Sequence, residues 1–157
     1  DRRGNGGAPD AVVGPMSNDM AEFNAQVIEE FRSNGGEVGG PFEGAPITLL
    51  HHIGARTGTE RIAPLMSRVD GDRRFVFASK AGAPDNPDWY HNLKANPDVR
   101  VEVASDGVIR TEEVTAVELE GDVRDVVWEA QKAEWPQFAE YEASTERTIP
   151  VIELRAR

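Results

Sequence analysis

Hydrophobic positions recur with two different periods along this chain. Met20, Phe23, Val27, Ile28 and Phe31 repeat at helical spacing behind Ser17, whose hydroxyl suits a helix N-cap. Asn34-Gly35-Gly36 ends that helix, because glycine tolerates the left-handed backbone that closes a helix C-terminus. The glycine-rich EVGGPFEGAP that follows reads as a loop flexible enough to move over a ligand. A second helix is predicted after Asp122, with Val123, Val126, Val127 and Ala130 as its apolar stripe.

Between these helices the pattern is that of strands. ITLLHHI from Ile47 is apolar and β-prone; the turn GARTGTE joins it to RIAPLMSRV, and Asp70-Gly71-Asp72 is a hairpin signal before RRFVFAS. Val99, Val101 and Val103 alternate on one face, Ser105-Asp106-Gly107 turns the chain, and VIRTEEVTAVEL runs back. TIPVIEL closes as a last strand after Trp135-Pro136 and a short QFAEYEA segment. Hairpin-linked strands without a repeated βαβ pattern imply a mainly β, α+β fold, an antiparallel barrel or roll with helices at its edges. The 157 residues suit one domain. Residues 1–15, rich in Gly and Pro and without periodicity, read as a flexible extension or an artificial remnant ahead of a single domain at 16–157.

Charge changes this picture by its distribution. The formal net charge is -11, yet residues 47–100 hold eight Lys/Arg against six Asp/Glu, a local net of +2. An acidic chain argues against nucleic-acid binding, and a locally basic middle fits a small anionic ligand. A solvated face with clustered charges reads the same way. With no cysteine, thiolate catalysis, disulfides and zinc-thiolate sites are excluded. No apolar run approaches the ~20 residues of a membrane-spanning helix and no signal-peptide core is visible, so a cytoplasmic protein is expected.

Two stretches carry candidate chemistry. In Gly54-Ala55-Arg56-Thr57-Gly58-Thr59-Glu60-Arg61, glycines let backbone N–H groups face an oxyanion, and two arginines supply forked donors suited to phosphate. No Gly-Lys-Ser/Thr follows, so it is not a P-loop; a hairpin turn with solvated arginines is the plain alternative. In ASKAGAPDNPDWYHNLKANP, Asn86 is placed to cap a helix with Pro87 at its first position, beside Lys80. Trp89 is then either an apolar wall for a cofactor or, with Leu93, part of the core. His51 and His52 point to opposite sides of a strand and cannot chelate together; no metal site is expected, and His91 reads as a surface histidine. No hydrolase motif stands out.

Taken together, LLHHIGARTGTERIAPLM, DGDRRFVFASKAGAPDNPDWYHNLKANP and YEASTERTIPVIEL resemble the deazaflavin-dependent nitroreductase family over residues 16–155. The likeness rests on the order of a G-x-[RK]-[ST]-G turn, an A-S-K-x-G loop, a W-Y-x-N-L-x-A-N-P helix and a Y-x-x-x-T-x-R-x-I-P segment. Ala55, Ser67 and Phe138 depart from residues frequent in that family.

The resemblance implies a split β-barrel, an FMN-binding-like antiparallel Greek-key barrel with flanking helices, that binds coenzyme F420. By its motifs, Arg56, Thr57 and Arg61 match positions that hold the phosphate and anionic tail. Pro64, Leu65 and Met66 line the ring, and Ala78, Ser79, Lys80, Trp89 and Asn92 bound its other side. It further implies an oxidoreductase passing a hydride to an electron-poor acceptor (an activated alkene, quinone or nitro compound), with Tyr141 as a donor or wall at the acceptor pocket. A monomer or homodimer is expected, peripheral to the membrane if the acceptor is a quinone. A noncatalytic deazaflavin carrier and an FMN-dependent oxidase of the same barrel superfamily remain as alternatives.

Overall fold

A computed structural model gives the structure of the protein and describes residues 18–157, with the side chains of 18–20 and of Pro41 left undescribed. The expected extension at 1–15, the Ser17 cap and the Met20 side chain lie outside the described residues. The elements in chain order are helix α1 (Asn18–Ser33), strands β1 (Ile47–Ile53), β2 (Glu60–Asp70) and β3 (Arg73–Phe77), helix α2 (Asp88–Ala95), strands β4 (Asp98–Ser105) and β5 (Val108–Leu119), helices α3 (Gly121–Glu134) and α4 (Gln137–Ala143), and strand β6 (Val151–Ala156).

All strand pairs are antiparallel, and they close in the order β1-β2-β3-β6-β5-β4. The barrel is the one the alternating pattern implied. Local hairpins explain β1–β2, β2–β3 and β4–β5. The last strand is the non-local one: β6 slots between β3 and β5, pairing Val76 with Ile152 on one side and Glu118 with Ile152 on the other. Among the described residues, closure gives every strand of the barrel a neighbour on both sides.

Three apolar clusters fill the molecule. Leu50, Val76, Val99, Val101, Val103 and Ile152 form one together with Ala78, Trp89 and Leu93 from the β3–α2 region. Phe75, Phe77, Trp128, Phe138 and Val151 form a second against α3 and α4. Val27, Phe31 and Leu49 seat α1 on the barrel. The end of α1 comes so close to β4 that a Cβ on Gly36 (φ 93°) would lie 2.1 Å from that of Ala104. Only glycine fits there.

Three local expectations need correction. The buried stripe of α3 is Val127, Trp128 and Gln131, while Val123 and Val126 are 57% and 70% exposed. Apolarity marked the right helix and missed its inner face, because Trp128 and the Arg124 stem supply the packing volume there. Helix α2 begins at Asp88 with Pro87 as its N-cap residue, since the Asn86 side chain is engaged elsewhere. The glycine-rich loop is partly anchored: Val38 is buried and the Phe42 ring stands 6.1 Å from Phe23.

The seam between β1 and β4 carries a buried ionic knot. Arg32 of α1 donates through two nitrogens to the Glu102 carboxylate, and His51 Nε2 lies 2.7 Å from the same group. The Arg32 guanidinium, assisted by His51, holds the Glu102 carboxyl below the usual carboxylate range against the opposing effect of burial. A depressed carboxylate stabilises the fold above its unfolded pKa, and that contribution is lost as pH falls through the folded value. Glu102→Gln should therefore lower stability by about 1–2 kcal/mol at neutral pH, discounted for the half-exposed Arg32. Urea denaturation at several pH values should show the gap to wild type closing below the ordinary carboxylate range.

Candidate active site

Two segments that the sequence singled out are built and braced by the fold. The β1–β2 connection, residues 54–59, is closed by Gly54 N–H donating to Thr59 O and Gly58 N–H donating to Gly54 O, both at 2.9 Å. Gly58 stands at φ 71°, and Thr57 Oγ1 accepts from the Thr59 N–H. Arg56 projects from this turn and Arg61 from the start of β2, both exposed. The neighbouring acid does not quench them, because Glu60 is bonded to Arg100 through two nitrogens at 3.2 Å. Among the described residues no carboxylate pairs with Arg56 or Arg61. In so acidic a chain, this leaves two exposed guanidinium groups, one on the turn and one at the start of β2, chemically suited to an anion.

Asn92 of α2 fixes the turn. The Ala55 N–H can only donate, so it faces Asn92 Oδ1 at 2.9 Å, and the amide nitrogen is left to donate to His52 Nδ1, also at 2.9 Å. His52 must then be neutral, with its proton on Nε2. Burial, reinforced by the positive charge of Arg61, lowers its pKa to about 4. His51, on the opposite side of the strand, serves the Glu102 knot instead.

The second segment follows β3. Ser79 has helical angles (φ -79°, ψ -38°), and Lys80 and Ala81 then take positive φ values of 46° and 53° before Gly82 at 84°. Lys80 Nζ lies 3.3 Å from Asp85 Oδ1. The segment is held from below by Arg147, in the stretch between α4 and β6. Its guanidinium donates to the carbonyls of Ala83 (2.9 Å), Ala78 (3.1 Å) and Ser79 (2.9 Å), and to Asn86 Oδ1 (2.6 Å). Burial pulls the Arg147 pKa downward. From the side, a Cβ on Gly82 would lie 2.8 Å from Tyr141 O, so the loop rests on the backbone of α4.

The other candidate residues fall around these two segments. Pro64, Leu65 and Met66 lie in β2 opposite Leu49, Thr48 and Ile47, all three half-buried. Leu65 packs on the cluster that contains the buried Ala78 and Trp89, so these three candidates share one patch. Trp89 is only 8% exposed and belongs to the core more than to the surface. Met66 and Tyr141 pack on the second cluster, where the Tyr141 ring meets Phe138 edge-on at 5.2 Å. Phe138 and Tyr141 thus share a helical face, as their spacing implied. Helix α2 links the halves, since Asn92 ties it to the turn and Asn86, just before it, ties to Arg147. A shallow groove of about 550 Å³ between α1 and β2, lined by Ala25, Ile28, Arg32 and Ile62, contains none of these residues.

Sequence reasoning missed two groups. By sequence His52 reads as half of an unproductive pair, although its position opposite Arg61 makes it a neighbour of the turn. Arg147 stood inside the quoted Y-x-x-x-T-x-R-x-I-P segment, and nothing local to it points to a loop more than sixty residues earlier.

The sequence profile of the F420H(2)-dependent quinone reductase family matches residues 24–155. The chain belongs to that family. An F420H(2)-dependent quinone reductase of Mycobacterium tuberculosis is 37% identical over 131 residues, covering 81% of this chain and 85% of that protein. Among solved structures, an F420-H2 dependent reductase aligns with TM-score 0.61 and 38% identity over 70% of this chain and 94% of its own. Another, a domain-swapped dimer, aligns with TM-score 0.63 and 34% identity over 87% of this chain and 98% of its own. Membership of the quinone reductase family makes coenzyme F420 the cofactor and oxidoreduction the activity, and the barrel is that of its solved relatives. Among the described residues no helix is long and apolar enough to cross a membrane, and no cluster of His, Asp and Glu is suited to a metal.

The His52 environment yields a pH dependence. A histidine whose pKa drops from its ordinary 6.5 to about 4 on folding stabilises the protein fully above 6.5, and less as pH falls toward 4. Up to about 3 kcal/mol is at stake across that window. His52→Gln keeps a side-chain acceptor for Asn92 and cannot titrate. Chemical denaturation between pH 7 and 5 should show a shallower decline in the variant than in wild type.

Proposed function

We propose that this protein takes a hydride from reduced F420 and delivers it to a quinone, with the two braced segments dividing the work. The observation that carries this reading is the pair of arginines, Arg56 on the turn at 54–59 and Arg61 at the start of β2, that no carboxylate among the described residues engages in an F420H(2)-dependent quinone reductase family member. Bound F420 supplies two-electron hydride chemistry through its deazaflavin ring and brings a phosphate and carboxylates that need cationic partners.

The residues present fit such a group. Arg56 and Arg61, with the Thr57 hydroxyl, hold the phosphate and tail; both guanidinium groups are permanently charged and free for bidentate contacts. Asn92 spends both ends of its amide on Ala55 and His52, so its role is to keep the turn in place. Pro64, Leu65 and Met66 line the ring through their backbone, since successive side chains of a strand face opposite sides, and the lack of an N–H on Pro64 leaves that part of the strand without a donor. Ala78, Ser79 and Lys80 close the other side by their backbone, while Trp89 supports them from within the core. Tyr141 stands on α4 next to this loop, where its hydroxyl can donate to an acceptor oxygen as negative charge develops there.

Titration by fluorescence should show F420 binding far more tightly than FMN; equal or tighter FMN binding overturns the cofactor assignment of these residues. A charge-assisted hydrogen bond is worth roughly 1.5–3 kcal/mol, so Arg56→Ala and Arg61→Ala should each weaken F420 about tenfold or more. Turnover at saturating F420 should hardly change in either, because the tail lies away from the reacting carbon. Tyr141→Phe should do the reverse, lowering turnover with menadione while leaving F420 affinity intact. Wild-type binding with no turnover on any quinone would mark a carrier instead of a reductase.

A further inference from the structure

Arg147 is half-buried in the connection between α4 and β6, and its four partners are all neutral oxygens drawn from one short loop. Three are main-chain carbonyls and the fourth is the Asn86 amide oxygen. No other side-chain type presents a planar fork with five donors, so no lysine could satisfy the same four acceptors at once.

The direction of those bonds has a consequence for the loop. A trans peptide places its C=O and N–H on opposite sides. With the Ala78 and Ser79 carbonyls turned toward Arg147, the N–H groups of Ser79 and Lys80 point the other way, off the guanidinium. The step from helical angles at Ser79 to positive φ at Lys80 and Ala81 is one that successive N–H groups adopt when they converge on an anion or carbonyl oxygen. Positive φ at two non-glycine residues in a row persists only where the surroundings over-determine it. Here Arg147 holds the carbonyl side, and the Gly82 contact with Tyr141 and Ser144 holds the end.

Arg147 is itself held. Its N–H donates to Thr145 Oγ1 at 3.3 Å. Beyond it, Ile149 is buried and its carbonyl accepts from Arg124 Nη2 of α3 at 2.8 Å, while Pro150 O accepts the Ala78 N–H at 3.0 Å. Each fixed position of the Y-x-x-x-T-x-R-x-I-P segment thereby has a physical task. Tyr141 packs edge-on against Phe138 and meets Gly82 through its backbone, Thr145 turns the chain, Arg147 grips the loop, and Ile149 with Pro150 seats the segment on the barrel.

We propose that Arg147 is a positioning residue, which locks the Lys80 loop to the Tyr141 helix so that the cofactor side and the acceptor side of the site are set as one unit. This rests on the reading of the Lys80 loop as part of the F420 site. The clamp itself can be tested without the cofactor.

Hydrogen exchange followed by mass spectrometry on Arg147→Lys and Arg147→Ala, free of ligand, should show the loop amides of Gly82 and Ala83, which donate to Ser79 O and Lys80 O, exchanging at least tenfold faster than in wild type. The strand amides should exchange as before. The same variants should bind F420 at least tenfold more weakly and turn over more slowly at saturation, a double loss that separates them from Arg56→Ala and from Tyr141→Phe. Millimolar guanidinium added to Arg147→Ala should restore both loop protection and affinity. Asn86→Ala, which removes one of the four acceptors, gives a milder variant should the Arg147 variants fail to fold, and should accelerate the same amides to a smaller degree. Loop amides that exchange at the wild-type rate, or loop and strand amides that accelerate together, would overturn the proposal. Failure of wild type to bind F420 would overturn the functional reading and leave the exchange result to decide the clamp.

Discussion

The insertion of β6 between β3 and β5 is the constraint on which the remaining structure depends. Without it both neighbours present unpaired edges, and the hairpins formed by β1–β3 and β4–β5 have only the short β1–β4 seam to join them. Placing β6 there closes the backbone hydrogen bonding all the way round, and Phe75, Phe77 and Val151 then face α3 and α4 as one surface. The same strand fixes where the preceding residues run. Because Val151 pairs with Phe77, the stretch carrying Arg147 must pass over the end of β3, where the Lys80 loop begins. Barrel closure and site construction are one event.

The site is made of connections held rigid by a stiff frame, which is the usual way a barrel carries function. Its two cationic features are handled differently. Arg56 and Arg61 are exposed and meet no acid among the described residues, while most other arginines of the described chain are paired with acids such as Glu102, Glu153 and Glu113. Arg147 instead is half-buried among carbonyl and amide oxygens of one loop. Charge left uncommitted in an acidic protein points outward to a ligand, and charge saturated by neutral acceptors points inward to architecture. The contrast in partners is what distinguishes the arginines proposed to bind from the one proposed to organise.

Helix α2 explains how the turn and the loop remain in register. Its buried face, Trp89 and Leu93, anchors it in the core cluster that Leu65 and Ala78 share. Its polar side reaches outward at both ends, through Asn92 to the Ala55 N–H and His52, and through the preceding Asn86 to Arg147. A residue such as Trp89 can therefore matter to a cofactor site without facing it, by setting the angle of the helix that does.

Much of the fold was written in local pattern. The succession of strands, the Asp70-Gly71-Asp72 hairpin, the Asn34-Gly35-Gly36 stop and the pairing of Phe138 with Tyr141 follow from periodicity and turn chemistry, because those interactions span few residues; the ends of β3 and β6 do not, since RRFVFAS runs on past Phe77 and TIPVIEL begins ahead of Val151. The locally basic middle and the turn at 54–61 were legible too, since exposed charge needs no partner to be recognised; the cofactor and activity came from resemblance of ordered motifs. What the sequence by itself did not determine was which residues meet across long separations. Only the tertiary structure decided that Asn86 serves Arg147 instead of capping α2, that Val123 and Val126 face solvent, that Trp89 joins the core, and that Glu102 gathers Arg32 and His51. The physical reason is the same in each case. A polar side chain with several possible partners takes the one that burial leaves otherwise unsatisfied, and burial is a property of the closed barrel, not of any segment within it.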